Sequence, residues 1–263
     1  MVLDSPLEVQ CRLEIRRGII MLIEYIFFAA FLIYFIILQS IWAVSKYKKV
    51  RAELNQNTRG KLKFYRETIF ASWVAVFLLF GMIMLTPLSS RDLGLNQIVL
   101  HSPKWLSYTV TAIMSIYSAY LIYQTIALRI CAVNQRKVKL KLSDDVAAIL
   151  PDSKNEKILY FFVALSAGFS EEILFRGYLM YALGEFFPGL HLWIILLITA
   201  GIFGIAHLYQ GKSNIIATGF IGLVYGMIYL AVGSIIPVMV LHFLQDVSAV
   251  DFKTVRTTGN LAA

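Results

Sequence analysis

Residues 167–179 read A-G-F-S-E-E-I-L-F-R-G-Y-L, and this stretch decides how the whole chain is read. Glu171, Glu172 and Arg176 sit in an apolar run long enough to cross a bilayer. A charge at membrane depth costs at least ~2.5–3.5 kcal/mol on insertion scales, so such residues face partners or a wet cavity and mark function. On a helix Glu172 and Arg176 are one turn apart and share a face, where a desolvated guanidinium and carboxylate satisfy each other. Glu171 lies ~100° further round and is left without that partner. The spacing predicts an architectural Glu172–Arg176 pair and a Glu171 free to act as a base toward water.

Two later apolar runs carry more acid–base groups. His207 closes F-G-I-A-H, one turn after Phe203. His242 and Asp246 sit at i, i+4 in H-F-L-Q-D, where Asp246 is placed to orient His242. Each has a bland reading: a satisfied histidine near a helix end, or a structural His–Asp hydrogen bond. Three runs holding such groups, while the others hold almost none, favour a shared site. Depth is a test. At 1.5 Å per residue, His207 falls ~3 Å and Asp246 ~6 Å from the expected cytoplasmic ends of their spans and His242 ~12 Å, but Glu171 ~20 Å if its span starts at Ile158. The levels meet if that span starts nearer Val163, or if Gly168 and Ser170 loosen the helix. A wet cavity open to the cytoplasmic side is expected.

Composition widens the reading. The chain is 59% hydrophobic and 15% charged, with a mean hydropathy of +0.71. A soluble domain of this composition would expose too much apolar surface. The expectation is an all-α, polytopic transmembrane helix bundle of about seven spans, at 18–45, 69–87, 105–128, 158–183, 190–209, 214–232 and 234–250. The first run is too long for a signal-peptide core and should stay as an anchor. The last is short, which is tolerated where protein surrounds it. Trp42, Trp73, Trp105 and Trp193 fall near expected span ends, as interfacial anchors do.

Charge sets orientation. The loop 46–68 holds eight Lys or Arg and the loop 129–157 seven, while only Arg91 and Lys104 lie between spans two and three. The positive-inside rule puts both basic loops in the cytoplasm and the N-terminus outside. The net charge of +8 is concentrated in those loops, which argues for orientation and against nucleic-acid binding; contact with anionic membrane lipids is a further use of such loops. Cys11 and Cys131 fall on opposite sides in this topology and do not pair. No C-x-x-C signature is present. The chain divides into an N-terminal region, 1–157, a helical core, 158–250, and a tail, 251–263.

The order E-E-x-x-x-R, F-x-x-x-H, H-x-x-x-N/D, each in an apolar helix, resembles the CPBP family of intramembrane proteases, which includes the CAAX prenyl endopeptidases of the Rce1 type and the Abi, or bacteriocin-immunity, proteins. Glu171, Glu172 and Arg176 fit the first motif, Phe203 and His207 the second, His242 and Asp246 the third. Gly168, Phe175, Gly177 and Tyr178 also agree. The resemblance covers about 159–250. It implies an endopeptidase acting on a peptide or a lipid-modified protein, without a cofactor. Glu171 and His207 would activate a water, and His242 with Asp246 would line the oxyanion side; Glu172, Arg176 and Phe203 would support them. Asp246 departs from the Asn typical of the prenyl proteases. Asn donates through its NH2, whereas an ionised Asp only accepts. A Zn2+ held by Glu171, His207, His242 and Asp246 is the alternative chemistry, although no H-E-x-x-H pair is present. Other readings stay open: a serine protease using Ser170, a non-enzymatic immunity or scaffold protein, and a proton-coupled transporter.

Overall fold

A computed structural model describes residues 6–54, 59–98, 104–130 and 148–260. Among the described residues the chain is all-helical, with no strand, and folds as seven rods. The first is α1 (Pro6–Leu32), a π-helical segment (Ile33–Leu38) and α2 (Gln39–Leu54) in one continuous helix. The second and third are α3 (Arg59–Ile83) and α4 (Lys104–Ile130). The fourth is α5 (Lys154–Glu171), a second π-helical segment (Glu172–Leu179) and α6 (Met180–Phe186). The fifth is α7 (Leu192–Ala206); a 3-10 turn (Leu208–Gln210) leads to α8 (Lys212–Val232) and α9 (Ile236–Asn260).

Among the described residues four stretches are long and apolar enough to cross a membrane: Arg12–Ser45, Gly60–Ile83, Lys154–Phe186 and Asn214–Val232. Leu192–Ala206 and Ile236–Val250 are shorter apolar helices. The protein is an integral membrane protein. Local chemistry sets several ends. Ser153 and Glu156 form a capping box that opens α5. Gly233, at φ 71°, closes α8 in the left-handed conformation, its N–H bonded to the Tyr229 carbonyl.

Several boundaries differ from the sequence reading, because helices run past the bilayer. Residues 46–54 and 59–68, expected as a loop, are helical. Lys61, counted with the orienting charges of that loop, is buried. Its Nζ donates to the Leu150 carbonyl at 2.9 Å, pairs with Asp152 and lies 3.9 Å from Glu156. With the Tyr65 hydroxyl on the Ile149 carbonyl, this clamp ties the start of α3 to the start of α5. Trp73 falls in mid-helix rather than at an end, and its Nε1–H donates to Ser166 Oγ on α5 at 3.0 Å. The loop 129–157 and Cys131 lie mostly or wholly outside the described residues, as does the side chain of Cys11.

The first rod packs on the second π segment through rings. Phe31 and Phe35 contact Phe175, Phe31 and Phe27 contact Tyr178, and Phe28 meets Phe186. Lipid tails are as apolar as these side chains, so the gain comes from close packing rather than from leaving water. The α8–α9 corner is buried in the protein. Ser234 and Ile235 are fully buried, the Ser234 hydroxyl donates to the Asn96 carbonyl, and the Ile235 N–H bonds Gly94. The apolar part of α9, Ile236–Val250, is short and begins against buried residues.

Candidate active site

Three packed elements carry the predicted residues: the fourth rod, the α7–turn junction and α9. The α6–α7 hairpin sets the level. As many residues separate Glu171 from Phe186, the end of α6, as separate Leu192, the start of α7, from His207. The two residues therefore come level across the hairpin without a late start to the helix, which begins at Lys154. The helix does loosen, but one residue past Glu171, where hydrogen bonding passes to the π pattern. Such insertions are frequent at functional sites. Close approach brings α9 in. A Cβ on Gly168 would stand 3.0 Å from the Met239 carbonyl and from the Phe243 N, so only glycine lets α9 lie this near α5.

Glu172 and Arg176 are fully buried. Arg176 Nη1–H donates to Glu172 Oε1 at 2.9 Å, and Nη2–H to the Gly222 carbonyl at 3.2 Å. The guanidinium lies 4.2 Å over the Phe203 ring and 5.5 Å from that of Tyr225. Gly222 leaves the room; a Cβ there would meet Phe203 at 2.9 Å. The same Glu172 oxygen accepts from His242 Nδ1–H at 2.8 Å. Glu172 is therefore more than half of an ion pair, because it also fixes the imidazole. Asp246, expected to orient His242, instead stands 3.7 Å from its other nitrogen, Nε2. The reason is reach: Glu172 is buried directly against the ring.

His207 is the cap of α7, not a residue within it. Its Nδ1 lies 2.8 Å from the Phe203 carbonyl. A carbonyl only accepts, so Nδ1 carries the proton and Nε2 is left to face the site. Both imidazoles thus turn Nε2 toward Glu171: Oε2 is 3.5 Å from His207 Nε2 and 4.0 Å from His242 Nε2. Phe203 is the spacer, its ring 4.6 Å from His207 and 5.0 Å from Phe175.

Residues 154–248 match the family model described as type II CAAX prenyl endopeptidase Rce1-like. This segment is similar to that family. The family is one of proteases. Among curated proteins and among solved structures nothing matches the chain. The Rce1-like segment opens at the first residue of α5 and closes in α9 just after Asp246, so it holds every residue the sequence marked.

It does not hold the outer wall of the cavity it faces. Some 730 Å³ of empty space, partly open, lies against Ser170, Glu171, Leu174, Phe175, Ala206, His207 and Tyr209. The opposite wall is Tyr34, Phe35, Gln39, Trp42 and Ala43 from the first rod, and Phe64, Thr68, Ala71, Ser72 and Ala75 from α3. Ser40 ties that wall to the site: its hydroxyl reaches the Phe35 and Ile205 carbonyls at 3.2 Å each. Apart from Trp42, marked only as an interfacial anchor, these residues carried no sequence signal, being ordinary small, polar or aromatic positions in or beside two apolar runs. Tyr209, two residues after His207, was also missed. The Zn2+ alternative needs donors converging at ~2.0–2.2 Å on one ion; among the described residues no group of three or more His, Cys, Asp or Glu is arranged to hold a metal.

Proposed function

We propose that the chain is an intramembrane endopeptidase that cuts a membrane-associated or prenylated protein by activating a water with side chains alone. The observation that carries this is the convergence of two Nδ1-anchored imidazoles, both presenting Nε2, on the Glu171 carboxylate at the cavity wall. A water held between Glu171 and His207 would give its proton to the carboxylate as its oxygen bonds the scissile carbonyl carbon. The negative charge passes to the carbonyl oxygen. Collapse breaks the C–N bond, and the proton held by Glu171 goes to the leaving amine. His242, when it carries both protons, donates through Nε2–H to that oxyanion, with Glu172 and Asp246 balancing its charge. The basic stretches 46–68 and 129–157 are assigned to the cytoplasm and the N-terminus to the other side.

The test compares new peptide termini in membrane proteomes from cells expressing wild type or Glu171→Gln. Termini that vanish while the protein is still made in full amount name both the activity and its substrate. An unchanged set of termini with an intact cellular phenotype removes the protease reading in favour of a binding or immunity role.

A further inference from the structure

We propose that Tyr209 donates a hydrogen bond to the oxyanion from the cavity side. The proposal deepens the protease reading above and rests on it. An oxyanion generated in a dry site needs preorganised donors, and few are left. His207 Nδ1–H is committed to Phe203, and His242 Nδ1–H to Glu172. Arg176 Nη1 and Nη2 are used behind the site, on Glu172 and Gly222. Asp246 offers only acceptors when ionised. His242 Nε2–H is then one donor, and a second is missing.

Tyr209 sits where the second belongs. The 3-10 turn that begins right after His207 carries it back over the site, its ring stacked on the His207 ring at 6.0 Å and 29°. It lines the cavity beside Ser170, Glu171 and His207. Phe64 and Tyr65 pack around it and Tyr47 lies at 6.5 Å, so the ring is held from behind. Its hydroxyl oxygen accepts from Gln210 Nε2 at 3.1 Å, which polarises the O–H. Among the described residues that O–H donates to no partner, leaving it for a ligand. Ser170 Oγ is the rival donor. It is also without a partner, but it is 1% exposed, whereas Tyr209 is only partly buried.

The experiment uses the full-length protein in detergent, a peptide spanning a Glu171-dependent cleavage site, and its phosphinate analogue, whose anionic tetrahedral centre mimics the intermediate. Tyr209→Phe is expected to lower kcat about 10²-fold, the scale seen when one oxyanion donor is removed, with KM and melting temperature unchanged. Phosphinate affinity should fall in step with kcat. Adding Asp246→Asn to Tyr209→Phe should recover activity, because the amide restores a donor. A kcat close to wild type, a loss that appears in KM or melting temperature, absence of rescue, or a selective phosphinate loss in Ser170→Ala instead would each overturn the proposal. A fully active Glu171→Gln protein would sink the protease reading itself, which is a separate result.

Discussion

Glu171 and Glu172 are neighbours in the chain but belong to opposite kinds of surroundings. Behind the fourth rod, Glu172 is fully buried and shared between Arg176 and His242. In front, Glu171 is 23% exposed by side chain, makes no hydrogen bond through Oε2, and looks into the cavity past two imidazole nitrogens. One helical step of ~100° separates a carboxylate whose work is to hold from one that is free to react. Each region depends on the other: the closed side aims His242, and the open side uses it.

The comparison breaks most sharply at Glu171. Replacing it with Gln should cut turnover by about 10²–10⁴-fold, the range for loss of a positioned general base, while leaving the melting temperature in detergent within a degree or two of wild type. A matching loss of stability would show that the open side is structural as well. On the closed side the expected order reverses. Arg176→Ala leaves Glu172 buried without its guanidinium, held only by His242, and should destabilise by about 3–5 kcal/mol, read as loss of folded protein in the membrane before any kinetic effect. Full yield of this variant would mean that the pair is dispensable.

Smaller effects sharpen the division of labour. Asp246→Asn should change kcat by less than about tenfold, because Glu172 makes the charge-assisted bond that orients His242 and Asp246 stands 3.7 Å away from Nε2. A larger loss in a peptide-cleavage assay would return the orienting role to Asp246. Ser170→Ala should leave cleavage intact, since no described imidazole hydrogen-bonds its Oγ; inactivity would revive a serine nucleophile. The smallest expected change is that from chelation. Activity measured after 1,10-phenanthroline and removal of free metal should stay at the untreated level, and restoration by Zn2+ after a loss would reinstate the metal alternative.

What could be read in advance follows the range of the forces. The Glu172–Arg176 pair rests on i, i+4 spacing, which one helix sets by itself, and the structure shows it at 2.9 Å. Phe203 and His207 likewise share a turn, and the carbonyl of the first anchors the ring of the second. The helical class and the number of rods follow from apolar run lengths. The misreadings came from contacts between distant segments. Lys61 was counted only as one of the basic residues of the loop 46–68, and its partners, which come from Leu150–Glu156, had no signal in the sequence. Trp73 was given to the interface, yet its indole N–H is used by Ser166 on another helix. Asp246 was given the orienting of His242 because it lies one turn away, while Glu172 on another rod makes the bond.

The sequence by itself therefore determined that this is an all-helical membrane chain with acid–base groups on three apolar segments, because hydropathy and helical spacing are local properties of the polymer. Only the tertiary structure decided which nitrogen of each histidine faces Glu171, that His207 caps a helix rather than sits inside one, and that the first rod and α3 complete the cavity. Those outcomes depend on how closely rods approach, as at Gly168 and Gly222, where a missing Cβ lets backbone or ring come within about 3 Å of the position it would fill. Distances of that kind are properties of the packed bundle and have no counterpart in any single segment.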